Sequence, residues 1–329
     1  MQKRKSSPTI KDVAKEAGVA LGTASKVING IPVGKEYRIR VEKAIKKLNY
    51  RVNPHAQSTR SGHTRTIQVV VPNLTNPFFA KLVESIVNEL TQRSYKTILY
   101  TTDQDAGQGQ ASGFVTEQQM ADGVICLSYD PKQQVPEHIP LVSVDYNLGH
   151  SIPCVASDNY SGGRLAVEKL VEFGCKHLAF LGIGASPVHE ANKRKDGFVS
   201  ACEELGVPYA LKLIDDGTPH SVFEEFFQEH MGNGKLDFDG IFCATDSLAC
   251  QIRSILHGME IRVPEDVQII GFDGVKYFVS TDLPCSTIVQ PIEAIAETCV
   301  KLVLDPLSEK IPSLVCLPVS YAYGGTTKN

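Results

Sequence analysis

The chain has 329 residues, enough for one large core and two or three folding units, and its apolar (42%) and charged (21%) fractions are those of an ordinary globular protein. No run of about 18 apolar residues argues for a membrane span, and the basic N-terminus lacks the apolar stretch of a signal peptide, so a cytoplasmic chain is expected. The net charge of −4 is unevenly placed: residues 1–62 hold fourteen Lys and Arg against four acids, so this segment is +10 and the remainder −14, a distribution suited to meeting phosphates at one end and staying soluble elsewhere.

The first elements read as a helix-turn-helix. Thr9 is placed to cap a helix in which Ile10, Val13, Ala14 and Ala17 form one apolar stripe. Gly18 can take the left-handed conformation that ends it, and Val19 turns back to the core. A second helix, about Leu21 to Ile28, would bury Ala24, Val27 and Ile28 and turn Leu21, Gly22, Ser25 and Lys26 outward, a face that can enter a DNA major groove. A third, about Lys35 to Leu48, would close the core with Ile39, Val41, Ile45 and Leu48. Residues 53 to 62 are polar and basic without an apolar stripe, too short to be helical alone, and are expected to form a linker that orders in company.

From Thr66 the pattern alternates. Strands are expected at Ile67–Val71, Thr97–Tyr100, Gly123–Leu127 and Leu141–Val144, then at His177–Leu181, Leu211–Ile214, Gly240–Cys243 and Val267–Gly271. Helical patterns lie at about Phe78–Arg93, Tyr160–Phe173, Ala191–Leu205, Val222–His230 and Ser247–Leu256; Gly107, Gly109 and Gly113 interrupt one more after Asp105, which would loosen a cleft mouth. Short apolar strands between amphipathic helices imply parallel sheets covered on both faces, and two such sets imply two lobes with a cleft. Ligands bind beyond the carboxyl ends of such strands. The nine cysteines are scattered singly, without C-x-x-C pairs, and those in apolar runs (Cys126, Cys243, Cys250, Cys299) read as reduced core thiols and not as zinc ligands or disulfides.

Taken together, Thr9-Ile-Lys-Asp-Val-Ala…Gly18-Val19, Ala44-Ile-Lys-Lys-Leu-Asn-Tyr50, Asn73-Leu-Thr-Asn-Pro-Phe-Phe79, Asp158-Asn-Tyr-Ser-Gly-Gly163, Arg194-Lys-Asp-Gly-Phe198, Ala244-Thr-Asp-Ser-Leu-Ala249, Val263 to Asp273 and Thr287-Ile-Val-Gln-Pro291 resemble, in order and spacing, the LacI/GalR (lactose-repressor) family of bacterial transcription regulators. The resemblance implies an α/β chain: an all-α helix-turn-helix head (1–52), a hinge (53–65), and a two-lobed, doubly wound parallel-sheet core of periplasmic-binding-protein type (66–329). Lobe 1 would take about 66–158 and 291–317, and lobe 2 about 159–288 and 319–329.

It also implies double-stranded DNA with a palindromic operator as partner. Leu21, Gly22 and Lys26 fall at base-reading places, Thr23 and Ser25 near the backbone, and Thr9, Asn29 and Asn53 complete the DNA-facing set of the head. Lys26 can donate to guanine without an arginine's bidentate fork, and Leu21 can meet a thymine methyl. Ala20 stands where a capping serine is common. In the hinge, Ala56, Gln57 and Arg60 can line a minor groove, but Thr59 holds the place of a wedging leucine, so weaker DNA bending is expected. For a small-molecule effector, most often a carbohydrate, the resemblance points to Phe78 and Phe79 as stacking aromatics and to Arg194 and Asp273 as hydrogen-bonding groups. Asp145 and Asp246 follow strands and are further candidates, Asp246 being equally placed to cap the next helix. No metal or cofactor is expected, and a homodimer without a heptad tail is expected to act as a repressor switched by population shift.

Other classes fit less well. A purine, nucleoside or sugar phosphate remains an alternative effector, with corepression instead of induction. A periplasmic solute-binding protein would share the core but not the +10 head. For an enzyme, Gly182-Ile-Gly184 lacks the third glycine of a dinucleotide fingerprint, and no phosphate loop, zinc spacing or nucleophile elbow appears.

Overall fold

The computed structural model describes residues 8–50, 64–102, 121–128, 139–149, 151–184, 189–215, 218–219, 221–232, 234–276, 282–306 and 312–328. The hinge candidates Asn53, Ala56, Gln57, Thr59 and Arg60, and the glycines at 107, 109 and 113, lie outside the described residues. The chain divides into two compact units, residues 1–65 and 66–329.

The first unit is a three-helix head: α1 (Ile10–Ala17), α2 (Leu21–Ile28) and α3 (Lys35–Leu48). Thr9 and Asp12 form a capping box in which the Asp12 carboxylate accepts from the Thr9 amide at 2.8 Å and also from its hydroxyl at 2.7 Å. These bonds hold the Asp12 carboxyl below the usual carboxylate range. The core is Val13, Ala14, Ala17, Ala24, Val41 and Ala44. Three expectations for this unit need correction, the first being Ile28, which is half-buried and lies outside the head core. Ile39 is 54% exposed, because it lies two residues before Val41 and so on the opposite side of α3; Ala44, three residues after Val41, takes its place inside. Leu21 is half-buried and packs on the head core, so only part of its side chain is offered outward.

The turn between α1 and α2 is built on Gly18, at φ 59° and ψ 43°, and Arg40 from α3 closes it by donating to the Ala17 carbonyl at 2.9 Å and the Gly18 carbonyl at 2.6 Å. A β-carbon on Gly18 would sit in a strained conformation and 2.6 Å from the Arg40 guanidinium. Gly18→Ala is therefore expected to cost the head about 1–2 kcal/mol, read as an earlier thermal transition of the head amides by NMR. An unchanged transition would show that the turn tolerates the side chain.

The second unit holds two six-stranded sheets. Sheet one contains β1 (Thr66–Val71), β2 (Lys96–Thr101), β3 (Gly123–Cys126), β4 (Leu141–Val144), β5 (Cys154–Ser157) and β13 (Leu314–Leu317), in the order β13-β5-β4-β3-β1-β2, all parallel. Sheet two contains β6 (Leu178–Ile183), β7 (Tyr209–Ile214), β10 (Gly240–Cys243), β11 (Gln268–Asp273), β12 (Ser286–Val289) and β14 (Ser320–Ala322). Its order is β14-β12-β11-β10-β6-β7, parallel except for the edge pair β12–β14. A two-stranded hairpin, β8 (Met231–Gly232) and β9 (Lys235–Leu236), stands apart.

Helices cover the sheets. On the first, α4 (Pro77–Gln92) and α9 (Ile292–Leu304) bury Leu82, Ile86, Leu90, Ile295, Val300 and Val303 against Ile67, Val69 and Ile125. On the second, α5 (Asn159–Glu172) and α6 (Lys193–Leu205) pack Phe198 and Leu170 with Phe180, Phe242 and Phe272 on one face. On the other face, α7 (Ser221–Glu229) and α8 (Asp246–Gly258) pack Phe223, Phe227 and Ile252 against Ile241 and Ile269. The chain passes between the lobes three times, at residues 157–159, 289–292 and 317–320. Because every strand of the two sheets but the edge strand β14 runs parallel, their carboxyl ends gather the loops that carry polar side chains.

Candidate functional site

Between the lobes lies a cavity of about 480 Å³. Its walls come from the ends of strands. From lobe 1 come Phe78 and Phe79 at the start of α4, and Asp145 and Tyr146 just after β4; from lobe 2 come His189, Arg194, Ala244 and Asp273, with Gln290 at a lobe crossing. Asn76 starts α4 there by accepting from the Phe78 amide at 2.9 Å, and Pro77 fills the first helical position, where no amide is needed. Phe78 is buried in the lobe 1 core, while Phe79 is half-buried and offers more ring to the cavity; their centroids are 5.6 Å apart.

The polar groups form one connected set. Arg194, 5% exposed, donates from Nε to Asn159 Oδ1 at 2.7 Å and from Nη1 to the Ala244 carbonyl at 2.7 Å, and its guanidinium lies over the Phe272 ring, 3.7 Å from the centroid. Gln290 donates to Asp273 Oδ1 at 2.8 Å and accepts from Ser157 at 2.7 Å, tying two lobe crossings to the site. Asn159 also donates to Asp145 Oδ1 at 3.4 Å. Asp145 and Asp273 end their strands at positive φ (58° and 138°), a conformation that costs a non-glycine residue energy and aims each carboxylate where a regular strand would not.

Burial sets the electrostatics. It pushes the Asp145 carboxyl up against the opposing pull of His189 and Arg194, and it pushes Asp273, with Asp246 nearby, up to about 8. Burial also lowers the Arg194 pKa, an effect that Asp273, Asp145 and Asp246 oppose. Burial lowers the pKa of His189, whose Nδ1 accepts from the Ala191 amide at 3.1 Å and whose ring meets Tyr146 edge-on with centroids 4.5 Å apart. The site thus holds one buried cation together with two carboxyls whose ionisation is costly.

A stability consequence follows. An unfolded aspartate titrates near about 3.9, so between that pH and the folded value of about 8 the folded chain keeps an Asp273 proton that the unfolded chain releases. The favourable contribution of this group is complete below the unfolded value and is lost as pH rises through the folded one. Asp273→Asn removes the dependence and keeps an oxygen for Gln290. Its urea midpoint, relative to the parent, is expected to rise steadily from pH 5 to pH 8; a constant difference would refute the assignment.

Of the six effector-site candidates, five line this cavity: Phe78, Phe79, Asp145, Arg194 and Asp273. Asp246 does not, and it is not the helix cap either. Thr245 caps α8 by accepting from the Leu248 amide at 3.2 Å, while Asp246 turns inward to accept from Thr287 Oγ1 at 2.5 Å, from the Gly274 amide at 2.8 Å and from Cys285 Sγ at 3.5 Å. It is a strut between β12 and the loop after β11. The reading missed Tyr146, His189 and Gln290. Tyr146 follows the expected strand Leu141–Val144 and was open to the same rule that selected Asp145, whereas Gln290 follows β12, a strand that the sequence does not announce, and His189 precedes its helix without such a signal.

In the head, Thr9, Gly22, Lys26 and Asn29 are exposed, and Thr23 and Ser25 half-buried, on and beside α2. Asn29 Nδ2 also donates to Ser25 Oγ at 3.4 Å. Ala20 precedes α2 without a side-chain cap.

Residues 9–53 match the model of bacterial regulatory proteins of the lacI family, and residues 167–327 match a periplasmic binding protein-like domain. The chain is 32% identical to a ribose operon repressor of Halalkalibacterium halodurans over 92% of its own length and 91% of that protein's. It is 33% identical to a ribose operon repressor of Lactococcus lactis over 95% and 96%. Among solved structures, the Lac repressor dimer bound to operator and an anti-inducer superposes with a TM-score of 0.78 over 98% of this chain and 99% of that one, at 21% identity, a likeness of fold.

Proposed function

The chain belongs to the lacI family of bacterial regulatory proteins and is a DNA-binding regulator of transcription, and from that premise we propose that it is a homodimeric repressor released from a palindromic operator by a neutral sugar held in the cleft. The observation that carries the ligand class is that Arg194, Asp145 and Asp273 line one cavity together. Neutral hydroxyls donate to the carboxylates and accept from the guanidinium, while Phe79 offers an apolar face to the ring. A phosphate dianion would meet Arg194 as the one buried cation among the described lining residues, beside carboxyls that its charge would make costlier still to ionise. The ribose repressors among the relatives favour the same class. The reading assigns the chain no catalytic step and places it in the cytoplasm with its DNA. A two-fold pair of heads matches a palindrome.

The test is selection from a random DNA library at about physiological salt, where phosphate-only binding is suppressed, followed by titration of D-ribose and of ribose 5-phosphate against the selected site. A palindrome released at least tenfold by the neutral sugar supports the proposal; release by the phosphate alone, or tighter binding with sugar, overturns it. Lys26, exposed on α2, is proposed to read a base. Lys26→Ala is therefore expected to weaken the selected site on the order of tenfold and scrambled DNA much less. Equal weakening of both would make Lys26 a phosphate contact.

A further inference from the structure

All nine cysteines are free, and burial raises the pKa of most of them. One pair is placed differently. Cys250 lies one turn after Asp246 on α8, on the same helix face, and is half-buried; Cys285, immediately before β12, is buried. Cys285 donates to Asp246 Oδ1 at 3.5 Å, which brings it against the α8 face that Asp246 shares with Cys250. Arg253, three residues after Cys250, donates to the Pro284 carbonyl at 3.1 Å and so is anchored beside the pair.

We propose that Cys250 and Cys285 are a redox modification site, closed to a reversible intramolecular disulfide by a hydroperoxide. The roles divide by environment. Cys250, half-buried and three residues before Arg253, is the accessible thiol and is shifted toward the thiolate, while Cys285, buried against the Asp246 carboxylate, is held protonated. The Cys250 thiolate attacks the terminal oxygen of the hydroperoxide; the O–O bond breaks, and the alkoxide leaves as the alcohol after taking a proton from solvent. Cys250 is then a sulfenic acid. The Cys285 sulfur attacks it as its proton passes to the adjacent Asp246 carboxylate, the S–O bond breaks, and hydroxide leaves as water on taking that proton. Two thiols lose two electrons, and the peroxide is reduced to alcohol and water. The product withdraws Cys285 from Asp246, whose other oxygen holds the Gly274 amide next to Asp273 in the cavity, so the chemistry is linked to the effector site by two hydrogen bonds.

The test requires neither the effector nor the operator, so its failure leaves the regulatory reading standing. The full-length protein is exposed at pH 7 to one equivalent of hydrogen peroxide, denatured, alkylated and mapped by mass spectrometry without reductant. The expected product is a Cys250–Cys285 cross-link within one chain, with the other seven cysteines alkylated and the cross-link reversed by dithiothreitol. In Cys250→Ser, Cys285 should remain alkylatable after the same exposure. A brief iodoacetamide pulse on untreated protein should label Cys250 on the order of tenfold faster than the exposed Cys316. Alkylated Cys285 in oxidised wild-type protein, a cross-link joining two chains through Cys250, or labelling of Cys250 no faster than Cys316 would each overturn the proposal.

Discussion

Gly163→Ala is expected to destabilise the second lobe by about 3 kcal/mol, the upper part of the range for overpacking a well-filled contact. Gly163 on α5 and Gly197 on α6 bring the two helices together backbone to backbone. A β-carbon on Gly163 would lie 2.0 Å from the Arg194 carbonyl oxygen and 2.9 Å from the Phe198 amide, and one on Gly197 would lie 2.0 Å from the Tyr160 carbonyl oxygen. The atoms in the way are main chain, so no side chain can swing aside; the helices must part, and Phe198, which touches Phe180 and Phe242 beneath, loses its packing. The effect also reaches the site, because the obstructed carbonyl belongs to Arg194. Urea unfolding followed by circular dichroism gives the loss. Gly258→Ala, at the end of α8 with no heavy atom within 4 Å of the added carbon, is the control and should stay within about 0.5 kcal/mol. Equal small losses in both variants would show that α5 and α6 slide apart freely.

The sequence pattern carried the long elements and failed where contrast was low or contacts were remote. Ile67–Val71 and Phe78–Arg93 announced themselves because a short apolar strand and a 3.6-residue stripe are local signals, and the structure has β1 and α4 there. β5, β12, β13 and β14 were not read as strands: β5, β12 and β14 mix serine into three or four residues, and pairing, for β5 and β13 with each other across the chain, makes them strands. α9 was missed for the opposite reason, being apolar on most positions. In the site, the rule of strand ends selects Asp145 and Asp246, and the family resemblance adds Asp273 at the end of β11. Nothing local separates Asp246 from the other two: its partners Thr287 and Gly274 are 41 and 28 residues away, and they turn its carboxylate inward.

Arg194 is the residue whose loss is expected to be felt most widely. Arg194→Met keeps an unbranched stem against Phe272 but leaves Asn159 Oδ1 and the Ala244 carbonyl without their donor and removes the cation beside Asp145 and Asp273. Removing one partner from a buried charged set costs about 3–5 kcal/mol, because what remains is desolvated and uncompensated. Arg194→Lys restores a charge without the fork that serves Asn159 and Ala244 together, and should fall between parent and Met variant. Part of the loss is electrostatic only if Asp273 is ionised for some of the time, and pH tests this directly. With Asp273 pushed up to about 8 even beside the guanidinium, losing the cation should raise it further, so the penalty of Arg194→Met should grow from pH 6 to pH 9. In Arg194→Met/Asp273→Asn that growth should shrink, since the second substitution removes the nearest charge left unpaired. Urea midpoints of the parent, both single variants and the double variant at pH 6 and pH 9 complete the cycle. A penalty that is the same at both pH values, with the double variant simply additive, would mean that Arg194 holds the site by its two hydrogen bonds and its stacking alone.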